Sequence, residues 1–478
     1  MPGALQVRQQ FFLEVETTVI SANRGPVLRT AADPETRRAF MTLYANRAAE
    51  ENLPILDELV AKRHELAVLM GHASYADYAL ELNMARTPDN VWNFLNDLTA
   101  RTEAKAVADV ERLREFRAEA EGINTDVPLQ PWDTGYYGDL LKRVEYGVDS
   151  EKVREYLPMA DALEGMMALY QELFDLEIRK VDLPWVWHES VEMYDVVADG
   201  RVTGRFYLDL YPREGKESHM YGVPLTPGRL APEGREIPTA MLLGNFTPPT
   251  DDLPSLITHA ELRTLFHEFG HGLHHMLTRV HYSAVSGING VAWDAVELPS
   301  QFMENWCWER EALDLIAGHY RSGEKIPAEL YARMMQAKNF QSAMQMVRQL
   351  EFALFDFRLH HEFDPATGAR VHDVLEEVRR QVSVVQPPAF NRFENGFTHI
   401  FSGGYAAGYY SYKWAEVLSA DAFSAFEESG IFDRETGNRF LSSILEQGGS
   451  REPMELFVEF RGREPSIDAL LRHSGLAA

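Results

Sequence analysis

The chain holds a single cysteine in 478 residues, so no disulfide can close within it, and that usage suits a reducing compartment. Cys307 lies in the apolar run Trp306-Cys307-Trp308, where buried packing is expected rather than a nucleophile. No apolar run reaches the roughly 18 residues a bilayer-spanning helix needs. The first thirty residues carry Glu14 and Glu16 amid mixed polar positions and show no signal or transit pattern, so a cytoplasmic location is expected. Basic residues are also scarce: 46 Lys and Arg stand against 73 Asp and Glu, for a net charge of -27. A field of that sign repels phosphate backbones and anionic bilayers, which excludes nucleic acid or a membrane as the main partner. Most of those acids simply coat the surface. With 45% apolar and 25% charged residues the composition is that of an ordered globular protein.

The front third reads as helices. Asp33-Pro34 and Thr87-Pro88 each set a capping side chain before a proline whose missing N–H costs nothing at a helix start. After Thr87, Val91, Phe94, Leu95 and Leu98 form one apolar stripe, in a helix that can run to a stop at Gly122. Ile55 to Gly71 and the segment after Ser74 behave similarly. Around 190 the pattern changes. Tyr194, Val196 and Val197 precede Asp199-Gly200, and Val202, Phe206, Leu208 and Leu210 follow it, which predicts a hairpin. The Pro/Gly-rich stretch from Tyr211 to Pro238 reads as a long binding loop, and Ala240 to Leu243 as a third strand. From about Thr258 helices return. Three consecutive regions are therefore expected: a helical segment over 1–189, a small sheet with a long loop over 190–249, and a helical catalytic region over 250–478.

Thr258 and Glu261 form a capping-box pattern, so a helix should start there. His267 and His271 then stand one turn apart on one face, where two imidazoles can bind a single zinc ion, with Glu268 placed to act as base toward an activated water. The chain has four His-Glu pairs, at His64, His188, His267 and His361, and only the third is followed by a histidine at the required place. Gly270 and Gly272 each cost a helix interior about 1 kcal/mol relative to alanine, which suggests that another helix or a substrate backbone comes close. A catalytic zinc needs a third protein ligand and an open fourth position. His259, His274, His275 and the downstream acids are all eligible by chemistry. Glu297 is the better choice by context, because it opens a new apolar-periodic segment after the Asn289-Gly290 turn, as a crossing helix would. Glu304 and Asp294 are placed to orient a histidine from behind.

Together, His267-Glu268-Phe269-Gly270-His271, Val296-Glu297-Leu-Pro-Ser-Gln and Glu304-Asn-Trp resemble the thimet oligopeptidase family of zinc peptidases, and within it the bacterial oligopeptidase A branch. Gly403-Gly404-Tyr405-Ala-Ala-Gly-Tyr409-Tyr410-Ser-Tyr412-Lys-Trp and the terminal Phe460-Arg-Gly-Arg-Glu-Pro resemble the same branch. The resemblance implies a mostly α, multi-helical, zincin-like lobe around a deep channel, with a small β-sheet before the metal-binding helix. It implies one Zn2+ per chain on His267, His271 and Glu297, with Glu268 as base. It gives transition-state roles to Tyr405, Tyr409, Tyr412 and His399. The spacing of the three tyrosines, i, i+4, i+7, adds an expectation of one helix face presenting three phenols that can stabilise an oxyanion. The strand at Ala240 to Asn245 resembles the family's edge strand, which would pair with the substrate backbone.

Two departures accompany the likeness. By this resemblance the chain is expected to begin after the long helical N-terminal segment usual in the family, and Lys216-Glu-Ser-His-Met-Tyr-Gly222 stands where the family has a stretch richer in glycine and arginine. The activity implied is cleavage of internal bonds in short peptides by a zinc metalloendopeptidase, acting as a monomer, or as a monomer that needs the missing segment. The alternatives are a truncated, weakly active peptide-binding homologue and a dipeptidyl carboxypeptidase.

Overall fold

In a computed structural model of the chain, residues 21–216 and 220–476 are described. The opening residues with Glu14 and Glu16, and positions 217–219 of the Lys216–Gly222 stretch, lie outside them. The described chain is mostly helical, with one five-stranded sheet and one two-stranded ribbon. Among the described residues no helix is long and apolar enough to cross a membrane. The chain divides into two compact units built from interleaved segments.

One unit takes the chain up to Gly147, then Asn339–Ser411 and the segment from Ser474. Its helices start where the capping residues stand. Asp33 accepts from the N–H groups of Glu35 and Thr36 ahead of Pro34–Ala45, and Thr87 accepts from that of Asn90 ahead of Pro88–Glu121. The second helix stops at Gly122 with φ +67, a left-handed turn glycine makes without a Cβ clash. Its stripe of Val91, Leu95, Leu98, Thr102 and Ala106 is buried, and the helix packs on Ser342–His361. Trp92 joins the pair by donating Nε1–H to His361 Nδ1 at 3.1 Å.

The other unit comprises Val148–Lys338 and Tyr412–His473. Its strands are β1 (Glu177–Val181), β2 (Glu192–Ala198), β3 (Arg201–Asp209), β4 (Tyr221–Thr226), β5 (Arg229–Ala231), β6 (Gly234–Glu236) and β7 (Thr239–Leu243). The predicted hairpin joins β2 to β3 through Asp199 and Gly200, both at positive φ as the tight two-residue turn requires. The larger sheet has the order β1-β2-β3-β7-β4, with β3 and β7 parallel.

Two expectations change here. Tyr211 to Pro238 is not one open loop, because it folds β4 and the β5–β6 ribbon; alternation in so short and proline-rich a segment is too weak to read. The strand expected at the sheet edge is also interior. β7 pairs with β3 on one side and with β4 on the other, so β4 is the edge strand at that end of the sheet and β1 at the other. Pro224 fits that assignment, since proline is tolerated on edges and at the bulge found beside it.

The helix His259–Met276 lies on β3, β4 and β7. Gly204 of β3 admits its last turn: a Cβ there would stand 2.7 Å from that of Met276. Beneath the helix Tyr170 stacks on Phe269, and Phe206 meets Phe269 edge-on at 5.0 Å.

Candidate functional site

The helix His259–Met276 begins with the capping box its sequence announces. Thr258 Oγ1 accepts from the Glu261 N–H at 3.2 Å, and Glu261 Oε2 accepts from the Thr258 N–H at 2.7 Å. Two turns on, the rings of His267 and His271 stand 5.0 Å apart at 84°. Their Nε2 atoms lie 3.3 and 3.2 Å from the same oxygen, Glu297 Oε2. All three ligand atoms fall within 4.8 Å of one another.

Glu297 precedes the short helix Leu298–Met303, which crosses the helix His259–Met276 at Gly270. A Cβ on Gly270 would stand 2.6 Å from Ser300 Cα and 2.8 Å from the Pro299 carbonyl oxygen. This glycine is therefore required by a close crossing. Around Gly272 a Cβ would meet nothing nearer than 3.5 Å, so that glycine has no comparable reason. Ser300 Oγ lies 2.9 Å from the Glu297 backbone carbonyl oxygen and 3.0 Å from Glu297 Oε2, so its hydroxyl bridges the two and braces the carboxylate beside the rings. Behind His267, Nδ1 donates to Glu304 Oε1 at 2.8 Å, which turns Nε2 toward the shared centre. Arg263 pairs with the other oxygen of Glu304. Asp294 is fully buried on the same segment.

The electrostatics favour a cation. Burial alone would depress His267, but the carboxylates of Glu297 and Glu304 overcome it and push its pKa up to about 10. Burial likewise opposes the charge on Glu297, and the two imidazoles hold it well below the usual carboxylate range. Surroundings that retain a proton this firmly favour a metal cation for the same reason. Two imidazole nitrogens and one carboxylate oxygen are a catalytic zinc donor set, so the residues present fit the ion. Glu268, next to His267, is pushed above its ordinary pKa by burial, and its Oε2 accepts from the Gly222 N–H of β4 at 2.8 Å.

Two of the other eligible histidines, His259 and His275, are engaged elsewhere. His259 Nε2 lies 2.7 Å from the Cys307 carbonyl oxygen, and His275 Nε2 lies 2.8 Å from that of Thr226 on β4. His274 is buried, and burial pushes its pKa down to about 3. Cys307 is itself buried, in keeping with a packing role.

His399, Tyr405 and Tyr409 belong to the unit containing Asn339–Ser411, whereas Tyr412 belongs to the unit of the histidines. His399 lies in the short helix Thr398–Phe401, and its ring stands 6.4 Å from that of Tyr405 and 5.8 Å from that of Tyr409. The three tyrosines do not share a helix face. The helix starts only at Ser411, and Tyr405 to Tyr410 form turns in which Ala407 adopts φ +53. Tyr412 lies in the first turn of Ser411–Ser429, where its carbonyl accepts from Gln301 Nε2 of the crossing helix at 3.1 Å.

The model of peptidase family M3 matches residues 27–476. The chain belongs to peptidase family M3. It is 46% identical over 461 residues to oligopeptidase A of Salmonella typhimurium, covering 94% of this chain and 67% of that one. It is 40% identical over 467 residues to an organellar oligopeptidase A of Arabidopsis thaliana, covering 95% of this chain and 59% of that one. The chain thus spans about two thirds of the length of the bacterial relatives. Among solved structures, PZ peptidase A with an inhibitor shares the fold at TM-score 0.55 and 17% identity, covering 98% of this chain and 72% of that one. A carboxypeptidase of Pyrococcus furiosus does so at TM-score 0.52 and 13% identity, covering 96% and 80%. As an M3 member with these relatives, the chain is a metallo-endopeptidase.

Within this M3 chain several positioning groups escape a reading of the sequence. Ser300, three residues after Glu297 at a helix start, had a usable local signal, because that spacing lets a hydroxyl reach back. Arg263 stands one turn before His267 and was equally visible. Gly222 had none, since its amide meets Glu268 only through the sheet. Asp209 is another such group: buried at the end of β3, it accepts from Arg213, Lys216 and Trp187 and ties down the segment leading to β4.

Proposed function

We propose that this M3 peptidase is a zinc-dependent oligopeptidase that hydrolyses internal bonds of short peptides, with one zinc per chain held by His267, His271 and Glu297. The observation that carries the reading is the approach of both Nε2 atoms to one Glu297 oxygen, 3.3 and 3.2 Å away, beside the buried Glu268. When bound, zinc supplies a Lewis acid that polarises the scissile carbonyl and lowers the pKa of the attacking water.

Glu268 takes the proton from that water and later delivers it to the leaving amine. Its raised pKa suits a group that must both accept and return a proton near neutral pH. The Gly222 N–H fixes the orientation of the carboxylate. Glu304 and Ser300 hold His267 and Glu297 in their ligating orientations. An extended substrate adds to the edge strand β4, a mode in which main-chain hydrogen bonds supply binding without demanding particular side chains. Tyr405 and Tyr412 act as oxyanion donors, and Tyr409 and His399 contribute further contacts to the reacting peptide.

Glu268→Gln tests the reading. The amide keeps the size and the contact with Gly222 but cannot take a proton. Zinc content should stay at wild-type level while turnover of an internally quenched oligopeptide falls by about 10²–10⁴, the range general-base catalysis supplies. Turnover near wild type would remove Glu268 from the mechanism.

A further inference from the structure

The turn from Tyr405 to Tyr410 has the spacing of a helix and is not one, and the reason lies on another element of the same unit. Asp356, on the helix Ser342–His361, is fully buried. Its Oδ1 accepts the Ala407 N–H at 2.9 Å and its Oδ2 accepts the Tyr409 N–H at 2.8 Å. In a helix those two amides would donate to the carbonyls of Gly403 and Tyr405. A carboxylate that captures them offers the backbone an alternative to helical bonding. The chain responds with tight bonds, Gly408 N–H to the Tyr405 carbonyl at 2.9 Å and Ser411 N–H to that of Gly408 at 3.1 Å. Ala407 adopts φ +53, a left-handed conformation that a residue with a Cβ disfavours unless its surroundings impose it.

The carboxylate is itself held. His360 Nδ1 lies 2.9 Å from the Asp356 backbone carbonyl oxygen and 3.0 Å from Asp356 Oδ1, and its Nε2 lies 3.1 Å from Arg63 Nη1. A guanidinium only donates, so Nε2 is the acceptor and the proton stands on Nδ1, shared between the backbone carbonyl and Oδ1 of Asp356. Arg63 also donates to the Phe401 carbonyl at 3.4 Å, and its guanidinium lies 5.6 Å from the centre of the Tyr75 ring. Arg63, His360 and Asp356 thus form a line that ends on the backbone of the turn bearing Tyr405 and Tyr409. Tyr409 is held at its far end as well, its hydroxyl donating to Gln349 Oε1 at 3.1 Å.

We propose that Asp356, backed by His360 and Arg63, is a positioning residue for the peptidase reaction: by gripping the Ala407 and Tyr409 amides it imposes the non-helical turn that aims the phenols of Tyr405 and Tyr409. The proposal rests on the transition-state roles given above to those tyrosines. A positioning defect of this kind acts on interactions made in the transition state, so it lowers kcat and leaves KM nearly unchanged.

Asp356→Asn keeps the volume but sets an NH2 group against one of the two amides. The expected result on an internally quenched oligopeptide is a fall in kcat of at least tenfold, with KM within about twofold. Hydrogen exchange of the 405–410 amides should accelerate at least tenfold, while exchange in the helix His259–Met276 stays as in wild type. Adding Ala407→Gly should restore at least threefold of the lost kcat, because glycine adopts positive φ without a clash. His360→Gln, a milder break behind the carboxylate, should show the same pattern more weakly, and it carries the test if Asp356→Asn does not fold.

Unchanged kcat and exchange would overturn the proposal, as would a loss of kcat with wild-type exchange in the turn. Tyr405→Phe and Tyr409→Phe separate the two layers. If both keep full kcat, the tyrosine roles fall whatever Asp356 does. If both lose kcat while Asp356→Asn loses neither kcat nor protection, only the positioning role falls.

Discussion

The histidine-bearing helix and the tyrosine turn carry the same kind of signal, candidate site residues repeated at helical spacing, yet they fold differently. Over Thr258 to Met276 every local rule agrees. A capping box starts the helix, the apolar face lies on the sheet, and the two histidines emerge one turn apart on the face that meets Glu297. Over Tyr405 to Tyr412 the spacing is equally regular, but a buried carboxylate some 50 residues earlier takes the amides a helix would need. Periodicity therefore shows which side chains can share a face only where the backbone donors have no better acceptor. Local consistency settles the first region, and one long-range contact settles the second.

Four measurements sharpen or break this contrast, in descending order of effect. The histidine-bearing helix has its own distant support in Glu304, which orients His267 through Nδ1. Glu304→Ala should weaken zinc binding by about 10–100-fold in a competition titration with a chelator. An unchanged affinity would mean that helix geometry alone orients His267.

Next, Gly270→Ala places a methyl 2.6 Å from Ser300 Cα and must push the crossing helix away. A loss of about 1–3 kcal/mol of unfolding free energy is expected, with weaker zinc binding because Glu297 moves with that helix. Full stability and affinity would show that the crossing is not tight.

Acidity gives a third measure. In the metal-free protein His267 is held protonated up to about 10, and its nitrogen must be bare to ligate. The sign follows: near neutral pH the metal-free state carries a proton that the zinc-bound state lacks. Binding should therefore release a proton, and affinity should fall about tenfold for each pH unit lowered. Calorimetry in buffers of different ionisation enthalpy reads the release directly, and zero release would contradict the assigned ligands.

The smallest effect is expected at Gly272→Ala. A Cβ there has room, and alanine favours the helix interior by up to about 1 kcal/mol. Stability should hold or rise slightly in a denaturant titration. A clear loss would mean that Gly272 serves a close approach the structure does not contain.

The same contrast explains how far the sequence could be read. The helix starts at Asp33, Thr87 and Thr258, the stop at Gly122 and the hairpin at Asp199-Gly200 are all local chemistry, and each stands where its residues indicate. The convergence of His267, His271 and Glu297 was legible because the two histidines share one helix and Glu297 opens the next segment. The edge strand was not. Whether β7 or β4 lies outermost depends on where the strand bearing Pro224 returns to the sheet; the proline fits an edge position, but nothing local says that this segment forms a strand or which strand it pairs with. Nor could spacing reveal the Gly222 amide behind Glu268 or the Asp356 grip on the turn, since each contact joins positions far apart in the chain.

The convergence of Glu297 with His267 and His271 is most directly tested by zinc stoichiometry and peptide turnover measured on one preparation each of wild type and Glu297→Ala. Wild type should carry one zinc per chain and cleave an oligopeptide, and the variant should lose both, with its helical content unchanged. A variant that keeps a full complement of zinc at wild-type affinity would contradict the account.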